Sequence, residues 1–140
     1  GETKFPILGT VAIEFVKPKL LALTFDLTAL TLVERRYDPL YNGNYEKCKP
    51  DPQWKLKAGD YNLFLGEVEF NNYQGLAESV DLEISEGDPL RLIILDYDKL
   101  FNPHDLLGEI KLRYDKSPLV VKNYQKGDVV KLNYTLKGKD

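Results

Sequence analysis

Pro89–Leu112 reads PLRLIILDYDKLFNPHDLLGEIKL, and its pattern decides how the remaining sequence is taken. Leu90, Leu92, Ile93, Ile94 and Leu95 form an apolar run of strand length. Gly87, Asp88 and Pro89 bound it on one side and acids on the other. Such a run reads as a buried strand. It delivers Asp96, Tyr97 and Asp98 to a loop tip, where period-two alternation aims Asp96 and Asp98 the same way. After Lys99, Leu100, Phe101, Asn102, Pro103 and His104 comes a third acid, Asp105. Leu106 to Ile110 then begin a return strand.

Three carboxylates on one loop repel one another unless a cation compensates them, and hard oxygen donors suit calcium, which takes ~6 to 8 of them. The alternative is a polar turn whose acids are simply solvated. An EF-hand is excluded, because the fifth, sixth and twelfth positions counted from Asp96 are Leu100, Phe101 and Leu107.

The chain has 140 residues, one domain's worth spanning 1–140, with 29% charged and 43% apolar residues. No apolar run approaches the ~20 residues of a membrane-spanning helix. A formal net charge of −3 and the lack of a basic run argue against nucleic acid as a partner. Cys48 is the only cysteine, so an internal disulfide is excluded. There is no Met, and the sequence opens at Gly1. That is compatible with a secreted or lipid-anchored bacterial protein, with a peripheral membrane protein, or with a piece of a larger eukaryotic chain. Asn133-Tyr134-Thr135 matches a glycosylation sequon but sits in an alternating segment and is assigned no role.

Elsewhere the periodicity is that of strands. Residues 10–16 alternate around Val11, Ile13 and Phe15 until Pro18 breaks the run. Leu20 to Val33 is longer, and its alternation and β-branched residues favour strand over helix. Glu34–Pro52 loses periodicity and gathers Pro, Gly and Asn, as a long loop does. Residues 62–70, around Val80 to Ile84, and 129–136 alternate again, whereas Asp115–Gly127 reads as a polar connection. No segment carries a long helical stripe. Some eight short strands make an all-β antiparallel sandwich the expected architecture.

LDYDKLFNPHDLLGEIKL resembles the third calcium-binding loop of C2 domains: a hydrophobic strand, D-x-D, a basic and an aromatic residue, a third Asp, a hydrophobic pair and Gly-Glu. It has one more residue than usual between Asp98 and Asp105, and the usual Asn-Pro before Glu78 is missing. The resemblance implies that Glu34–Pro52 is the first calcium-binding loop, with Asp51 of Asp-Pro as one ligand and Asp38 as another, Glu46 being a substitute for Asp38. Asp38, Asp51, Asp96, Asp98 and Asp105 would then share one rim and bind calcium, two ions being compatible with five carboxylates.

In C2 domains such a rim acts on membranes. Leu100 and Phe101 on one loop, with Leu40 and Tyr41 on the other, are apolar where a solvated turn is normally polar. Either they pack back on the neighbouring loop or, as the resemblance implies, they enter the lipid interface with Lys99 beside a phosphate. The expected function is a monomeric calcium-dependent module for anionic phospholipid membranes or a protein partner. The alternative is a structural or adhesive sandwich in which calcium only stiffens loops. Many C2 domains that read phosphoinositides carry a lysine-rich strand on the concave face, whereas residues 62–70 contain no Lys or Arg and two Glu, so a polybasic lipid site is not expected. His104, the only histidine, lies beside no plausible nucleophile, so an enzyme is not expected.

Overall fold

The computed structural model describes residues 19–37, 48–98 and 105–139. Within them run eight strands: β1 (Leu20–Leu32), β2 (Pro52–Ala58), β3 (Tyr61–Leu65), β4 (Glu78–Ser85), β5 (Pro89–Asp96), β6 (Asp105–Arg113), β7 (Leu119–Lys126) and β8 (Val129–Gly138). They form two four-stranded antiparallel sheets, β4-β1-β8-β7 and β3-β2-β5-β6, packed as a sandwich. The expected strand at 10–16 lies outside the described residues.

Strand β1 explains its own sequence. Leu23, Phe25 and Leu27 face the core, and then the phase changes so that Leu30 and Leu32 are buried instead. A register shift against β8 between Leu27 and Ala29 makes that change. One extra residue in a bulge moves the following side chains to the other face. The core formed between the sheets centres on Trp54, Phe25 and Tyr134. The Phe25 ring lies 5.5 Å from Trp54 and 5.3 Å from Tyr134, centroid to centroid. β5 is the most buried strand, with Leu92, Ile93, Ile94 and Leu95 all inside, as its unbroken apolar run requires.

Two expectations need correction. The strand over 62–70 stops at Leu65. At Gly66 the chain turns against β2 so closely that an added Cβ would stand 2.9 Å from the Trp54 carbonyl oxygen. Residues 66–72 then follow the start of β2 irregularly, bonding through Glu69 N to Pro52 O at 3.0 Å and Asn72 N to Pro50 O at 2.9 Å. Alternation persists in the sequence there, but the ladder does not. Conversely, Asp115–Gly127 is not all connection, because Leu119–Lys126 forms edge strand β7. Two register irregularities and a left-handed Asn123 interrupt it, which masks its alternation.

Candidate functional site

Strand order brings the acids together. β5 runs antiparallel between β2 and β6, so its end at Asp96 meets the beginning of both neighbours: Asp96 pairs with Pro52 on one side and with Asp105 on the other. Cross-strand partners project from the same face, which puts the Asp96 and Asp105 carboxylates side by side. Asp51 precedes Pro52 and is tied in twice. Its N–H donates to Oδ1 of Asp96 at 2.8 Å, and its carbonyl accepts from Tyr97 N at 2.9 Å.

The segment 66–77 joins the same pole. Asn71, with φ of 57°, donates its N–H to Oδ1 of Asp51 at 2.7 Å. Phe70 packs edge-on against Tyr97, ring centroids 6.1 Å apart, and remains 48% exposed. The Trp54 indole N–H bonds Leu76 O at 3.1 Å and fixes the far end of the segment. No residue of this segment is read from sequence as part of the acidic site. The Asn71-Asn72 pair, a turn signal inside an alternating run, was the available clue.

Electrostatically the pole is anionic. Burial pushes the Asp96 carboxyl up to about 6, against the opposing pull of the Asp51 N–H, and the charges of Asp51, Asp105 and Asp98 add to the rise. The nearby cation Arg35 is committed elsewhere: its Nη2 and Nε hold Asp128 at 2.8 and 2.9 Å, and its guanidinium lies 3.9 Å over the Tyr37 ring. The first loop leaves and re-enters the sandwich at one point, where Tyr37 N–H donates to Cys48 O at 2.9 Å.

Of the five acids read from sequence, Asp51, Asp96 and Asp105 are thus neighbours at one end, and Asp98 follows two residues after Asp96. Asp38 lies outside the described residues, as do Lys99, Leu100, Phe101, Leu40 and Tyr41. The donor chemistry suits a hard cation, since Asp51 and Asp96 each commit only one carboxylate oxygen to a backbone N–H. Among the described residues, however, no three Asp, Glu, His or Cys side chains are gathered closely enough to hold an ion.

A basic row also crosses the outer face of one sheet. Lys57, Arg91 and Lys111 are direct register partners across β2, β5 and β6, with Lys55 two residues along. Arg91 is paired to Glu109 at 3.2 Å. Searching 62–70 alone could not find this row, because three other strands supply it.

No family model matches the sequence, and no curated protein matches it. Solved structures do. A C2 domain structure aligns with TM-score 0.62 at 22% identity, over 86% of this chain and 99% of that one. A structure of extended-synaptotagmin 2, comprising its SMP domain and two C2 domains, aligns with TM-score 0.57 at 20% identity, over 87% of this chain and 27% of that one. Human GIVD cytosolic phospholipase A2, in complex with a fluorophosphonate inhibitor and terbium chloride, aligns with TM-score 0.64 at 15% identity over 88% of this chain. This chain spans 18% of the phospholipase chain. The chain has the C2 fold.

Proposed function

We propose that this C2-fold chain is a calcium-binding module whose carboxylate pole, once neutralised, docks on anionic phospholipid or on a protein partner. The observation that carries the reading is the pairing of Asp96 with Asp105 and its bond to Asp51, which concentrates negative charge where two loops begin. Asp51, Asp96, Asp98 and Asp105 would hold the ion, with Asp38 completing the set from the first loop. A bound calcium ion would supply positive charge that cancels the mutual repulsion and attracts lipid phosphate. Asp96, Asp51 and Asn71 keep three loops in register for that contact, while Leu40, Tyr41, Leu100 and Phe101 would enter the interface with Lys99 at its edge. The reading is of a binding module, not an enzyme.

Calorimetry separates the parts of this proposal. Calcium titrated into the wild type gives saturable heat, and Asp98→Asn weakens it. Sedimentation with phosphatidylserine vesicles then requires calcium. Equal calcium binding by both proteins sinks the site. Calcium heat without vesicle or protein binding leaves the ion a loop-stiffening role.

A further inference from the structure

At the end of the sandwich remote from Asp51 and Asp96, the side between β3 and β4 opens into a groove of about 260 Å³. Leu20, Ala58, Tyr61 and Leu63 line it, with Glu83 at its margin. Tyr61 and Leu20 are 79% and 59% exposed. β3 borders the groove and is the last strand of its sheet among the described residues, so one side of its backbone has no ladder partner there. Tyr61–Leu65 carries no charge and no proline, two of the devices that usually blunt such an edge. The chain enters β1 at the same place: the Lys19 carbonyl accepts from Glu86 N at 2.8 Å, and Leu20 lines the groove. Eighteen residues precede Lys19, among them the alternating run around Val11, Ile13 and Phe15.

We infer that residues 10–16 dock on this edge as a further strand, pairing antiparallel with β3 and setting Phe15 into the groove. Strand directions favour it. β2 runs from the acidic end to the groove end, and β3, antiparallel to it, runs back. A segment that leads into β1 at the groove end arrives from the acidic end, opposite to β3. Beside β4, whose register from Glu78 to Ser85 also runs toward the groove end, the same segment would be parallel, the less stable pairing. β6 and β7 border the opposite side of the sandwich. Four residue steps from Val16 to Leu20 reach about 13 Å, enough to cross the ~10 Å between packed sheets. Pro18, which cannot donate to a ladder, ends the added strand before β1 begins. Val11 to Phe15 matches the five residues of β3 in length. Its alternation turns Val11, Ile13 and Phe15 toward Leu63 and Val80, which are only partly buried against the core, and leaves Ala12 and Glu14 outside. The link passes the groove margin, where Lys17 meets Glu83, a carboxylate with no ion pair among the described residues. The occupant of the groove is thus the chain's own leading segment.

Hydrogen exchange of the full chain, read by mass spectrometry in chelator, tests the inference. Ile13→Asp speeds exchange of the peptide that contains Tyr61–Leu65 by about tenfold or more and leaves the β6 and β7 peptides unchanged. A cross-link gives a second measurement that does not require displacing the segment. Phe15→Cys combined with Tyr61→Cys closes a disulfide under mild oxidation, in a yield independent of protein concentration, whereas Phe15→Cys combined with Lys126→Cys does not. Cys48 is buried and does not compete. Equal β3 exchange in the wild type and Ile13→Asp overturns the inference. So does failure of positions 15 and 61 to link in a protein with wild-type circular dichroism, a link to position 126 instead, or a yield that rises with protein concentration, which would make a second copy the occupant.

Discussion

The amide of Asp51 donates to the carboxylate of Asp96 at 2.8 Å, across 45 positions of sequence. One acid's backbone thereby positions the other acid's side chain, while burial and the neighbouring Asp51 carboxylate raise the cost of ionising Asp96. The pole is held together by a backbone bond and strained by charge.

Asp96→Asn should therefore act with opposite signs on two measurements. Asn keeps an oxygen to accept from Asp51 but carries no charge. In chelator the variant gains about 1 kcal/mol in urea unfolding, after allowing for solvent screening of a half-exposed group. Its calcium affinity by calorimetry falls about tenfold or more. A loss of stability in chelator would show that charge repulsion is not the governing force at this residue.

Stability in chelator should fall as pH rises from about 4 to about 6. Asp96 binds a proton more tightly folded, at about 6, than unfolded, near 3.8. The folded state thus holds the extra proton in that window, and raising pH removes the advantage. Asp128, held low by Arg35, works in the opposite sense. Its contribution is present above the unfolded value and is lost only as pH falls through the lower folded value. Thermal melts across pH 4–7 check the slope, which Asp96→Asn flattens.

Gly66→Ala should destabilise by about 1–3 kcal/mol, since the new methyl meets a backbone oxygen 2.9 Å away and not a yielding side chain. The same substitution should weaken calcium binding at a distance, because residues 66–72 carry the Asn71 N–H that Asp51 accepts. Urea unfolding and calorimetry on one preparation give both values.

Trp54→Ala should cost about 3–5 kcal/mol. Trp54 is 1% exposed, packs on Phe25 and Phe64, and bonds Leu76 O through its indole N–H. It is the single tryptophan, so the variant is followed by circular dichroism.

Much of this architecture was legible in sequence because burial repeats every second residue. β1 and β5 follow their apolar patterns over nearly their whole length, and D-x-D lies at the end of β5 as alternation requires. What was hidden depends on partners distant in sequence. The end of β3 is set by contact with the Trp54 carbonyl, and β7 exists because β8 pairs with an irregular strand. The Asn71 bond to Asp51 belongs to the same class, since no local pattern couples residues 20 positions apart. The basic row Lys57–Arg91–Lys111 likewise needs the register of three strands.

The bond from Tyr37 N to Cys48 O closes a neck, and the Tyr37 hydroxyl anchors it by donating to Val33 O at 2.7 Å. Whatever is spliced between those two residues has its ends already joined, and closure entropy grows only logarithmically with length. A foreign epitope spliced in between them would therefore add a closure cost of only about 0.6 kcal/mol for each doubling of the connecting length.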